Sequence, residues 1–393
     1  MESQEVRVGI ITKEWPPAVY GGAGVHVVQL TEALRSIDKT TVDVHCFGAP
    51  RTDASHAYQT PTGFENSNPA LQAIATNLAM ADHLGDVDVL HSHTWYANMA
   101  GHTASLLYGT PHIVSAHSLE PLRPWKADQL GGGYKISSWA EKTAYESADA
   151  IIAVSDGMRA DVLRAYPNID PSKVVTIRNG VDTEKFAPHH DASVLAELGV
   201  TGRYAMFVGR ITRQKGLAHL LRAWRDVSPE FGLLLAAGSP DEEGIGNEVA
   251  ELIAQLQSTR SNVWWVKEMM PHDKLTAALT QADLFLCPSI YEPLGIVNLE
   301  AMACTTAVLA SRVGGIPEVV EDGVTGVLVD YDERNISKFE ADLSAQINQL
   351  MSAPESLIAM GEAGRARAIE LFGWKAVAEA TLHLYRKVIA ARR

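Results

Sequence analysis

Short apolar runs recur along the chain, each emptying into a polar, glycine- or proline-containing stretch that is followed by an amphipathic segment. The first, residues 6–12, is β-branched and ends in Lys13-Glu14-Trp15-Pro16-Pro17, which predicts a buried parallel strand feeding a loop. Gly21-Gly22-Ala23-Gly24 follows, and residues 25–34 carry the apolar period of a helix. Further runs at 41–47, 87–92, 111–116 and 150–154 alternate with helical stretches such as 69–84. This is βαβ alternation and predicts a parallel sheet with helices on both faces.

Around residues 179–191 the chain turns polar, with Pro188 and a His189-His190 pair, and a second series of strands begins at 205–208, 232–237, 262–266, 284–287, 308–311 and 326–329. The expected organisation is therefore α/β with two doubly wound, Rossmann-like parallel-sheet domains, residues 1–185 and 186–373. A last helix over 374–393 is expected to return to the first domain. A length of 393 residues suits two such domains. Ligands of open parallel sheets sit beyond the carboxyl ends of the strands, so the loops of both domains are expected to line one central cleft.

Composition narrows the partners. With 33 Lys plus Arg against 47 Asp plus Glu, the formal net charge is -14, which disfavours nucleic acid and anionic lipid. No run reaches the ~20 apolar residues of a membrane-spanning helix, and the polar segment 1–7 does not read as a secretory leader. Three cysteines, Cys46, Cys287 and Cys304, lie far apart in apolar surroundings, which fits a reducing cytoplasm. An anionic substrate would then need a local basic pocket.

Such a pocket has candidates. In the second domain Val208-Gly209-Arg210-Ile211-Thr212-Arg213-Gln214-Lys215-Gly216 follows a strand, so Arg210 and Lys215 can reach a phosphate, one as a fork and the other as a point charge. Pro288-Ser289-Ile290-Tyr291-Glu292-Pro293-Leu294-Gly295 leads into a helix carrying Glu300. The free amides near Gly295 and Ile296 suit a diphosphate, and Glu292 and Glu300 can hold the two ends of a nucleotide sugar. In the first domain the glycine turn resembles a phosphate loop but lacks the spacing of a nicotinamide-dinucleotide site. His91, His93 and His117 each end a short strand, and a metal reading lacks a third ligand of known geometry. Asp86 and Asp88 precede a strand and read as a strand start. The loop aromatics Trp15, Tyr20, Trp95, Tyr96, Trp125 and Tyr134 suit sugar faces or a core.

Together these motifs resemble the GT-B retaining glycosyltransferases, and within them the bacterial glycogen synthases of actinobacterial type and the α-maltose-1-phosphate synthases. The resemblance rests on Glu292-x7-Glu300, on Gly209-Arg210-x4-Lys215-Gly216, on the opening Lys13-Glu14-Trp15-Pro16-Pro17 with its Gly-Gly turn, and on the segment 117–126. It implies an α-1,4-glucosyltransferase that needs no metal or other cofactor. The donor would be ADP-glucose or UDP-glucose, the acceptor an α-glucan or glucose-1-phosphate, and the setting glycogen biosynthesis. Arg210 and Lys215 would neutralise the leaving diphosphate, with Gly22, Gly209, Gly295 and Ile296 assisting. Glu300 would hold the ribose, Glu292 the glucose hydroxyls, and His117 would lie against the transferred sugar. Residues 267–270 would meet the base through backbone.

Two departures bear on the acceptor. Where many glycogen and starch synthases carry Lys-x-Gly-Gly, this chain has Val19-Tyr20-Gly21-Gly22, and Thr94 stands where they often carry Asp. A phosphorylated acceptor bound by Arg123, Lys126 or Lys135, beside Tyr20, Trp95 and Trp125, is the corresponding expectation. Competing readings are a UDP-sugar-dependent transferase with a small acceptor, a nucleotide-sugar epimerase, a nicotinamide-dependent oxidoreductase and a non-catalytic sugar-binding protein. Assembly into a homodimer is left open by the sequence.

Overall fold

A computed structural model describes residues 5–53, 56–123, 127, 131–238 and 240–392. The chain divides into two compact units, residues 1–179 with 374–393, and residues 180–373. The division falls at Asn179 rather than at residue 185. The reason is local: Val181 already pairs with Gly373, its amide donating to the Phe372 carbonyl at 2.8 Å.

The first unit holds seven parallel strands, β1 (Val6–Thr12), β2 (Thr40–Phe47), β3 (His56–Tyr58), β4 (Val89–His93), β5 (His112–Ala116), β6 (Ala150–Ala153) and β7 (Val174–Thr176). Their order is β3-β2-β1-β4-β5-β6-β7. The second unit holds β8 (Tyr204–Arg210), β9 (Gly232–Gly238), β10 (Val263–Val266), β11 (Leu284–Cys287), β12 (Ala307–Ser311) and β13 (Gly326–Val329) in the order β10-β9-β8-β11-β12-β13. In each sheet the chain works outward from its first strand and then returns to that strand's other side. The switch point lies between β1 and β4 in one unit and between β8 and β11 in the other, where the doubly wound fold opens its ligand crevice.

Central strands are apolar on both faces because helices cover both: Val8, Ile10, Leu233, Leu235, Leu284 and Leu309 are all buried. The helix Trp374–Arg392 belongs to the first core, where Ala378, Leu382 and Tyr385 join Leu30 and Leu34 of the helix Gly22–Arg35. Edge strands β3 and β7 have three residues each, too short for a period to register. Gly209 and Arg210 lie inside β8 rather than in a loop after it, paired with Ala237 and Gly238 of β9. Asp88 serves the start of β4, accepting the Arg7 amide at 2.8 Å. The three cysteines are buried and free, and no described helix is long and apolar enough to cross a membrane.

In the second unit the helix Pro354–Leu371 lies so close to the chain entering β12 that a Cβ on Gly361 would stand 2.0 Å from the Thr305 carbonyl oxygen. Gly361→Ala should therefore lower the stability of that unit by about 1–3 kcal/mol, as overpacking does. Urea unfolding followed by circular dichroism checks this, and an unchanged midpoint would show that the helix can shift freely.

Candidate functional site

The second unit brings the two sequence motifs together. Thr212 caps a turn of 3-10 helix at Arg213–Lys215, its hydroxyl accepting from the Lys215 amide. Gly216 then takes φ +66, and a Cβ there would lie 1.9 Å from the Pro288 carbonyl oxygen. Only glycine lets the two loops approach this closely. The Ile290 amide donates to the Gln214 carbonyl at 2.9 Å and ties the loops together. Across this junction Lys215 Nζ donates to Glu292 Oε2 at 2.7 Å, with both side chains largely withdrawn from water. Burial works against the Lys215 charge, but Glu292 outweighs it and the ammonium is held above its ordinary pKa.

Glu292 is anchored through its backbone as well. Its carbonyl accepts from the Gly315 amide at 3.0 Å, and Gly314, at φ +53, has no room for a Cβ against that same oxygen. Gly295, at φ +96, forms the N-cap of the helix Ile296–Ala303, so the first amides of that helix open beside Glu292. Glu300 sits one turn further along, partly buried, its carboxyl pushed up to about 7 by burial against the pull of Lys215. Arg210 is exposed at the end of β8, and its side chain forms no hydrogen bond or ion pair among the described residues. Two cations, two carboxylates and a helix start thus share one switch point, which is the donor set that a diphosphate with sugars at both ends requires.

In the first unit the corresponding switch point carries histidines. His93 Nδ1 and His117 Nε2 lie 2.9 Å apart in a hydrogen bond, and the His26 ring stands 4.7 Å from that of His117, centroid to centroid. Burial and mutual repulsion keep His93 and His117 well below the usual histidine pKa, and burial takes His26 down to about 4. All three are therefore neutral near pH 7. Among the described residues they form the one group of three whose ligand atoms, within 4.8 Å of one another, could hold a metal ion. His91 is not part of it, because its ring is spent on Tyr385 Oη at 2.6 Å and Ser115 Oγ at 2.8 Å. Periodicity could not show that a residue of the helix Gly22–Arg35 turns toward the ends of β4 and β5, so His26 went unnoticed in the sequence.

Glu14 was also missed. Its carboxylate accepts from the amides of Tyr20 and Gly21, both at 2.9 Å, and so shapes the glycine turn. A Cβ on Gly24 would meet Glu14 Oε2 at 2.5 Å. Gly22 opens the helix behind this turn. Of the aromatic candidates, Tyr20 is 46% exposed, whereas Trp95 is 5% exposed and packs with Ala70 and Ala73. Burial leaves Trp95 little ring surface to offer. Arg123 is engaged internally, its guanidinium on Ser118 Oγ at 3.0 Å and 3.8 Å from Glu120 Oε1. Lys135 is exposed. Trp125 and Lys126 lie outside the described residues.

The segment after β5 is held from below by a buried acid pair that the sequence did not suggest. Glu141 accepts the Glu120 amide at 2.8 Å and the Tyr166 hydroxyl, and Ser137 Oγ donates to Glu120 Oε2 at 2.6 Å. Burial, with Glu120 adding to it, pushes the Glu141 carboxyl up to about 8. A carboxyl raised from its unfolded value near 4.5 contributes stability that is complete below that value and lost as pH climbs through about 8. The wild-type urea midpoint should therefore fall between pH 6 and pH 9, and Glu141→Gln should flatten the decline. Parallel curves for the two proteins would contradict a proton on Glu141.

The sequence of the second unit matches the family model for glycosyl transferases group 1 over residues 197–367, and that of the first matches Glycosyltransferase Family 4 over residues 20–185. The chain is 54% identical over 390 residues to an α-maltose-1-phosphate synthase of Mycolicibacterium smegmatis, covering 98% of this chain and 100% of that one. Its counterpart in Mycobacterium tuberculosis is 50% identical over the same shares. Among solved structures, sucrose-phosphate synthase from Thermosynechococcus elongatus superposes with a TM-score of 0.82 at 25% identity, covering 98% of this chain and 100% of that one. The catalytic domain of starch synthase IV from Arabidopsis thaliana, bound to ADP and acarbose, gives 0.72 at 17% identity over 99% of this chain and 100% of its own, and shares the fold.

Proposed function

Because the chain belongs to the GT-B glycosyltransferase family, we propose that it is a retaining α-1,4-glucosyltransferase. It moves glucose from ADP-glucose to glucose-1-phosphate in the cytoplasm, giving α-maltose-1-phosphate for glycogen biosynthesis. The observation that carries the transferase reading is the buried Lys215–Glu292 pair beside Arg210 and Glu300. The acceptor is supported by two full-length relatives named as α-maltose-1-phosphate synthases.

In this reading Arg210 and Lys215 neutralise the diphosphate as its bond to glucose C1 lengthens, with the amides behind Gly295 and Ile296 completing the anion site. Glu292, already pinned by backbone, accepts from glucose hydroxyls, and Glu300 accepts from the ribose. The acceptor oxygen attacks C1 from the face the diphosphate leaves, so the α configuration is kept, and its proton passes to a departing phosphate oxygen. His117, neutral, presents a hydrogen-bonding edge to the transferred sugar rather than a charge. The two side-chain cations supply the charge neutralisation, and a divalent ion has no part in the step.

Lys215→Ala should lower turnover about 100-fold or more, since it removes a preorganised charge from the developing diphosphate. Turnover close to that of the wild type in a variant that folds would defeat the assignment of this pocket. Purified protein offered ADP-glucose or UDP-glucose, each with glucose-1-phosphate or glycogen, should make maltose-1-phosphate fastest from the ADP donor. Elongation of glycogen alone would overturn the acceptor, and preference for UDP-glucose would overturn the donor.

A further inference from the structure

Lys13 leaves the end of β1 with its ammonium 3.7 Å from the centroid of the Tyr96 ring and 5.8 Å from that of Tyr20. It is half-buried, and it makes no hydrogen bond and meets no carboxylate within 4 Å among the described residues. Burial draws its pKa down while the field of Glu14 draws it up. Glu14 does not pair with it, being committed to the amides of Tyr20 and Gly21. Two ring faces stabilise the ammonium in part, but a desolvated cation without an anion is an expensive feature to retain.

We propose that Lys13, between Tyr20 and Tyr96, binds the phosphate of the acceptor sugar and makes the enzyme specific for a phosphorylated acceptor. The inference rests on the acceptor named above and assigns it a residue. Position supports it first: Lys13 stands at the switch point of the first sheet, where ligands of this fold bind. Its surroundings support it next. Arg123 is engaged by Ser118 and Glu120, and Lys135 is exposed to water, whereas Lys13 is partly buried against two rings with no carboxylate within 4 Å among the described residues. Charge supports it last, because a chain at -14 repels an anionic sugar unless a local cation receives it. The exposed Tyr20 ring lies on the same ammonium and offers an apolar face to the sugar that carries the phosphate.

The test is steady-state kinetics of wild type, Lys13→Ala and Lys13→Arg with varied glucose-1-phosphate at saturating donor, together with the donor KM of each. One charge-assisted contact corresponds to roughly a 10- to 100-fold change in affinity. Lys13→Ala should therefore raise the acceptor KM by about that factor and move the donor KM less than about twofold. Lys13→Arg should restore most of the loss, which a purely structural role would not produce. If wild type makes maltose-1-phosphate and Lys13→Ala has the same acceptor KM, this inference is wrong and the proposed function stands. If wild type makes no product from glucose-1-phosphate, the acceptor reading fails and the inference with it.

Discussion

The second unit is organised around one ion pair, Lys215 with Glu292, made where little water reaches. An isolated charge in such a place would shift its pKa and neutralise. Glu292 holds the Lys215 ammonium in its charged form, and removing one partner from a buried pair typically costs about 3–5 kcal/mol. The surrounding backbone follows from that need. Gly216 brings the two loops within contact, Gly314 lets a third turn close on the Glu292 carbonyl, and Gly295 turns the chain so that a helix starts at the pair. Three glycines at positive φ around one ion pair are hard to explain by packing alone.

The two units use the same strand order and reach opposite electrostatic solutions. At the β8–β11 switch point Lys215 and Glu292 form an ion pair, and the Arg210 side chain has no partner among the described residues. At the β1–β4 switch point burial keeps three histidines neutral, so that the wall is polar but uncharged. In the proposed reaction the diphosphate would meet the first set and sugar hydroxyls the second. Local cations would then receive an anionic donor on a chain whose net charge is -14.

Strand runs and glycine loops were legible in the sequence because both sheets are parallel and doubly covered, which writes long apolar runs between loop signals. The pairing of Glu292 with Lys215 was legible only as convergence on one ligand, and the direct contact between them required coordinates. His26 and Glu14 escaped because their importance comes from what lies opposite them: a helix residue facing two strand ends, and a carboxylate folded back on its own loop. His91 and Trp95 pose the reverse problem. Each has the residue type and spacing of a site residue, and each is committed to the interior by Tyr385, Ser115 or the alanines of a neighbouring helix.

The interior commitments also decide what remains for a ligand on the first unit. Glu141 and Glu120 are held by Tyr166, Ser137 and each other, and Arg123 is drawn toward the same acids, so these side chains are tied into the interior. The two carboxyl groups are thus engaged internally, and satisfied groups gain little by turning to a substrate. The loop after β1 presents Lys13 against the rings of Tyr20 and Tyr96, and the neutral histidines stand at the same switch point. A sugar phosphate has one charged end and one hydroxyl-rich end, and this switch point carries a cation, Lys13, and a neutral polar wall. The proposed role of Lys13 rests on that correspondence, a cation held by ring faces rather than by a carboxylate.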